Sequence, residues 1–257
     1  FMEPYNAPYY QDFLEDFGFT KVNDWYSVHV EDTSGDQFQE YMENARRVIG
    51  AIKNSIHRGK VLREATIRNV DFSRFDDELK ILDRLYNGEW GKGNHPQFAP
   101  MTPAELKKLA SDIKLIDREE YVQVVEYMGE PIGIAASVPN INEKISGWDR
   151  RHPDYLPSPR FMNRKDLLRD AAILRNALKG GKKEFESLRV LILGVKEEYR
   201  HKGIESALYL SAFEAAAKNG IKRASFSELA DINSDIVIPL TKMGPIAMTW
   251  RVYSLGL

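Results

Sequence analysis

The chain of 257 residues has no cysteine. Disulfides, thiolate nucleophiles, zinc ribbons and cysteine-held iron–sulfur clusters are thereby excluded. It also lacks a strong charge of either sign: 36 basic residues stand against 38 acidic ones, for a formal net charge of −2. That balance removes the compositional argument for nucleic-acid binding, which needs a strong positive field. Long apolar runs are missing too. The longest, such as Val190 to Leu193, fall far short of the ~20 residues that span a bilayer. The N-terminus, Phe-Met-Glu-Pro-Tyr, has neither a basic n-region nor an apolar h-region, and opening on Phe instead of Met points to a missing segment or an expression artefact. The five histidines form no i, i+4 pair and no cluster with acids, so no metal site is expected. What is present, 43% hydrophobic and 29% charged residues, is the composition of a globular, cytoplasmic protein with no membrane or nucleic-acid partner.

Residues 8–19 read as a short helix capped at Gly18, followed by a strand over 21–30. Asp32 to Asp36 is turn chemistry and a candidate boundary. Phe38, Tyr41, Met42, Ala45, Ile49, Ile52 and Ile56 then recur at helical spacing, a packed linker helix with a solvated basic face. From there the spacing predicts a strand over 61–70, a helix over 75–85 and a loop over 87–100. Thr102-Pro103-Ala104-Glu105 starts another helix, with Thr as cap, Pro at the first position and Glu at the third. A hairpin over 121–138 turns at Gly129-Glu130-Pro131. Residues 139–187 form a polar, basic insertion with one helix over 165–178. A strongly apolar strand (188–195), a long helix (203–218), a strand (224–227), a short helix (234–243) and a last strand (247–253) complete a mixed α/β sheet.

Chemistry concentrates at Leu193-Gly-Val-Lys-Glu-Glu-Tyr-Arg200-His201-Lys202-Gly203-Ile204-Glu205-Ser206. An apolar strand enters a basic turn, and Gly203 opens a helix. Unpaired amides and the positive end of the helix dipole converge there, as an anion site requires. An ordinary strand-to-helix turn has the same outline, so on these residues alone both readings stay open.

The strand, the Arg200-x-x-Gly203 turn and the following helix resemble the coenzyme A signature of the GNAT acyltransferase superfamily, Gln/Arg-x-x-Gly-x-Gly/Ala. The element order from Val61 to Tyr253, about three quarters of the chain, is similar to the GNAT order. Asn233, a short helix, Met243-Gly244 and a last strand resemble its C-terminal motif. Asn6, Phe13-Leu14-Glu15 and Gly18, followed by a strand, resemble that motif again. The resemblance thus implies a mostly antiparallel twisted sheet flanked by helices, in three parts. These are a C-terminal remnant of a first GNAT-like domain (1–35), a linker helix (36–60) and an acyltransferase domain (61–257) with the insertion 139–187.

It also implies a donor site for acetyl-CoA or another acyl-CoA. Backbone groups of Leu193 and Val195 would face the pantetheine and thioester. Arg200, His201, Lys202, Gly203, Ile204 and Ser206 would hold the pyrophosphate, and Asn233 would touch the cofactor. The acceptor would be the amine of a small molecule or peptide, and a homodimer is allowed. For the general base, Glu228 is the first candidate, in a cleft of reduced solvation, and Glu198 the second. Trp90, His95 and Phe98 could line an acceptor pocket, and Arg160, Arg164, Lys165 and Arg169 could attract an anionic acceptor.

Two positions depart from the pattern. Glu205 stands where Gly or Ala is usual, and its carboxylate would repel a pyrophosphate unless it points outward. Leu240 stands where many members carry the Tyr that protonates the leaving thiolate; Tyr199 and Tyr253 are the conceivable substitutes. These departures keep a rival open, a non-catalytic binding or scaffold module on the same fold. A third reading, aminoacyl transfer from a charged tRNA, lacks a basic stripe to support it.

Overall fold

The computed structural model describes residues 6–56, 59–89, 98–116, 118–140 and 185–256. Along them run α1 (Tyr9–Asp16), β1 (Thr20–Val30), α2 (Asp36–Asn54), α3 (Lys60–Glu64), β2 (Thr66–Asn69), α4 (Phe75–Glu89) and α5 (Pro103–Ile116). Then come β3 (Val122–Tyr127), β4 (Glu130–Pro139), β5 (Ser187–Val195), α6 (Ile204–Lys218), β6 (Arg223–Ala230), α7 (Ser234–Thr241) and β7 (Ile246–Ser254). The expected helix over 165–178, residues 90–97 of the expected loop with Trp90 and His95, and the four basic residues from Arg160 to Arg169 lie outside the described residues.

Among the described residues the strands form one seven-stranded sheet, in the order β2-β3-β4-β5-β6-β1-β7. Each neighbouring pair is antiparallel apart from β5–β6, which is parallel. The sheet is covered on both faces, and β3 shows why: Val124 and Val125 are adjacent and both buried, but point to opposite sides. Val125 joins Ile49 of α2, Leu62 of α3 and Ile204 and Leu208 of α6. Val124 joins Leu85 of α4. Burying each such side chain contributes ~1.5–3 kcal/mol.

Several local readings hold in detail. The capping box forms: Thr102 N–H and Oγ1 both donate to Glu105 Oε2 at 2.8 Å, and Glu105 N–H returns to Thr102 Oγ1. In α2 the buried positions are Phe38, Met42, Ala45 and Ile49, whereas Ile56 lies beyond the helix and is exposed. The hairpin turns one step earlier than expected, at Met128-Gly129. Both have positive φ, and Glu130 already pairs with Tyr127.

The expected strand over 61–70 is corrected to a helical turn and a four-residue strand. Arg63 reaches back from α3 to the carbonyl oxygens of Lys53 and Ser55 at the end of α2. Leu62 meanwhile drops into the core. A helical turn delivers both at once, satisfying carbonyls that α2 leaves without partners.

β1 runs inside the same sheet as the later strands, between β6 and β7. Asp24 ties the three together. Its carboxylate accepts from Arg251 on β7 at 2.9 and 3.2 Å and from Lys21 at 2.7 Å, while its N–H donates to Asp231 after β6. The Arg251 guanidinium holds the Asp24 carboxyl below the usual range, Lys21 adds to this, and burial opposes it. A depressed folded-state value means that the stabilisation is present above the unfolded carboxylate value of about 3.9 and is lost as pH falls through the folded one. Asp24→Ala should therefore cost about 2–3 kcal/mol at pH 7. The gap from wild type should narrow as thermal unfolding is followed from pH 7 down to pH 3, below the unfolded carboxylate value. A gap of equal size at pH 7 and 3 would refute the assignment.

Candidate functional site

The parallel pairing of β5 with β6 runs from Ser187↔Arg223 to Val190↔Phe226 and stops there, although both strands continue. Beyond that point β5 stays with β4, and β6 stays with β1 through Tyr26↔Leu229 and Trp25↔Ala230. Each of these outer pairings has a bulge at the same level, between Ala136 and Ser137 and between Tyr26 and Val28. Bulges bend and twist the strand that carries them. Two bent strands, each held by its outer neighbour, open like a V.

A cleft of about 670 Å³ fills the opening, within the ~300–1,000 Å³ usual for ligand sites. Leu193, Val190, Phe226, Leu229, Ile236 and Leu240 make its wall largely apolar, and Phe98 and Met101 approach from the connection between α4 and α5. Its polar members include Ser227, Glu228, Asn233, Arg189 and Glu105.

The edge of β5 faces this cleft with its backbone. Lys196 N–H donates to Ile132 O of β4 at 2.8 Å, which sets the antiparallel alternation. Leu193 and Val195, opposite Ala135 and Gly133, therefore direct their N–H and C=O groups away from β4. Val195 O is taken by Arg200 Nε at 3.1 Å, a bond that folds the arginine back on the strand it follows. Leu193 is also among the residues that line the cleft.

After β5 the chain makes a 3-10 turn over Glu197–Tyr199, then bends sharply. His201 and Gly203 take φ of 58 and 83°, and Gly203 serves as the cap of α6. Ile52 and Leu62 crowd Gly203 so closely that an added Cβ would lie 2.9 Å from Ile52. The turn thus needs glycine for its positive φ, whereas the atom nearest to an added Cβ is the tip of the Ile52 side chain, which can shift. Lys202 Nζ donates to Glu198 O and sits over the Tyr199 ring. His201 is exposed, with Asp235 of α7 at 3.8 Å. Ile204 is buried in the core and Ser206 half-buried on α6.

The carboxylates differ in placement. Glu228 lines the cleft, but its side chain is 45% exposed with Arg189 at 3.8 Å, in place of the reduced solvation expected from sequence. Glu198 is exposed on the turn, outside the cleft wall. Asn233 caps α7 with its backbone and lines the cleft. Leu240 is 1% exposed and forms part of the floor. Neither substitute for the missing tyrosine lies in the wall: Tyr253 donates to Glu15 on α1, and the Tyr199 ring packs on Tyr127. Tyr209, unmarked in the sequence reading, does line the cleft. Burial raises its phenol well above the usual range, and Glu205 adds to the shift. Its signal in the sequence was an aromatic position on α6 one turn after Glu205.

Among solved structures, a GCN5-related N-acetyltransferase from Sphaerobacter thermophilus superposes with a TM-score of 0.54. It is 8% identical, with 96% of this chain and 56% of that one covered. The GCN5-related glucosamine N-acetyltransferase region of a fungal multi-domain GH3 β-N-acetylglucosaminidase gives 0.50 at 12% identity, over 97% and 23%. The fold is that of GNAT N-acetyltransferases. In sequence, the GNAT-fold chain is 29% identical over 133 residues to a bacterial ceramide synthase of Caulobacter vibrioides, covering 52% of this chain and 31% of that protein. It is 22% identical to Protein YghO of Escherichia coli over 95% of this chain and 55% of that one. The chain therefore spans about half or less of the length of these relatives. No protein-family model matches it.

Proposed function

We propose that this GNAT-fold chain is an N-acyltransferase that moves an acyl group from an acyl-CoA thioester to an amine. The observation that carries the reading is the V between β5 and β6, where Leu193 turns toward a largely apolar cleft backbone groups that pair with no neighbouring strand among the described residues. An acyl thioester on that edge would be attacked by the amine nitrogen. The C–N bond forms, the C–S bond breaks, and the thiolate leaves. Glu228 takes the amine proton, and Asn233 contacts the donor beside it. Leu193 N–H is the backbone donor nearest to hand for the developing oxyanion. The acceptor is the amine of a small molecule, and the apolar wall and the likeness to a protein named for ceramide synthesis support a long-chain substrate. Each methylene buried there would contribute ~0.8 kcal/mol.

A tandem origin for residues 1–35 belongs to the same proposal. α1, Gly18 and β1 repeat α7, Gly244 and β7 in order, and the two strands lie side by side.

The test is thermal unfolding with CoA, acetyl-CoA and a long-chain acyl-CoA. Ligand at ~100 times its Kd adds about 2.7 kcal/mol, or roughly 5–10 °C for a chain of this size. We expect a shift that grows with chain length and shrinks in Arg200→Ala. No shift with any of them would favour the second reading, a binding module that has lost acyl transfer. Glu205 and Leu240 support that rival.

A further inference from the structure

The turn that leads into α6 contains its own anion. Gly203 caps the helix without a side chain, and Glu205, in the first turn, supplies the carboxylate instead. Its side chain folds back rather than outward, and Oε1 accepts the His201 N–H at 3.1 Å. A carboxylate at the positive end of a helix dipole is favourable in itself, so the arrangement is self-sustaining. Ile52 of α2 and Leu62 of α3 pack against Gly203 and close one side of the turn. An entering anion that uses the His201 N–H therefore meets the carboxylate that already holds it.

Resting on the acyl-CoA reading above, we propose that Glu205 is a specificity-determining residue that competes with the donor's diphosphate for the turn. A diphosphate-bearing donor has to displace the carboxylate from the His201 N–H, and it meets like charge while doing so. The pantetheine arm, lodged along β5 and remote from this contact, meets no such opponent. The chain thus discriminates between the two ends of one donor: it accepts the arm and resists the diphosphate. Glu205 sets how much affinity the diphosphate adds.

Calorimetric titration of the whole chain with CoA and with pantetheine, which carries the arm without the diphosphate, tests this. The variants are Glu205→Gln, which removes the charge but keeps an oxygen able to accept from His201, and Glu205→Ala, which also frees the amide. Unfolding temperatures of both confirm that the fold is intact. The expected result is a CoA Kd lowered about tenfold in Glu205→Gln and at least as much in Glu205→Ala, with the pantetheine Kd within twofold of wild type. If CoA binds wild type and both variants equally, Glu205 is no competitor, while the acyl-CoA reading stands. If pantetheine affinity moves in step with CoA, the effect is not on the diphosphate and the proposal falls. If neither ligand binds any of the three proteins, the acyl-CoA reading itself is overturned.

Discussion

Turnover in Glu228→Gln should fall about 10²–10⁴-fold, the usual contribution of a positioned acid or base. Glu228 is the carboxylate that combines a place in the wall of the cleft with a position on β6, at the level where β6 has left β5. Gln keeps the shape and one hydrogen-bonding oxygen but cannot take a proton. The loss should therefore sit in kcat, with the Kd for CoA unchanged. Arg189, 3.8 Å away, is a positioning residue in this scheme, because it holds the carboxylate against the cleft wall. Glu198→Gln provides the contrast: on the exposed turn, outside the wall, it should leave kcat within twofold of wild type. Equal rates for Glu228→Gln and wild type would remove Glu228 from the mechanism.

The largest effect on stability is expected at Gly244. A Cβ there would lie 1.9 Å from the carbonyl oxygen of His29 and 2.8 Å from its carbonyl carbon. Both are backbone atoms of β1, so no side chain can rotate away. β1 is also held there from the other direction, since His29 N–H donates to Pro245 O at 3.1 Å. Gly244→Ala must push β1 off the end of α7, and β1 is an interior strand paired to both β6 and β7. The expected cost is about 3–5 kcal/mol, a fall in Tm on the order of 10 °C. Gly50 in α2 has nothing within 4 Å of its would-be Cβ. There Gly→Ala should instead stabilise by about 0.5–1 kcal/mol, through helix propensity alone. A mild effect at Gly244 would show that the approach of α7 to β1 is looser than described.

Much of this protein is legible in its sequence, and what is legible has a local cause. Hydrophobic period placed α2, α4 and α6, and the Thr102–Glu105 spacing marked a helix start that the hydrogen bonds reproduce. The turn from Arg200 to Gly203 followed from residue chemistry, since glycine takes the positive φ at position 203 without strain. The misread segment is instructive. Val61 to Val70 is apolar enough for a strand, but Arg63 has carbonyls to satisfy at the end of α2, eight and ten residues back in the chain. A contact with the preceding helix outweighed a weak local preference.

Which strands become neighbours was not legible, because a strand's pattern states which face is buried and leaves its partner open. The insertion of β1 between β6 and β7, the two bulges that spread β5 from β6, and the arrival of Tyr209 in the wall that Phe98 also lines all depend on residues far apart in sequence. The presence of Glu205 in the turn is plain from the sequence. Whether its carboxylate faces outward or back onto His201 is not, since one rotation of a side chain separates the two. Residue chemistry along the chain thus determined the elements, their order and the kind of site. Long-range pairing and side-chain direction, settled only as the sheet closes around its core, decided the cleft.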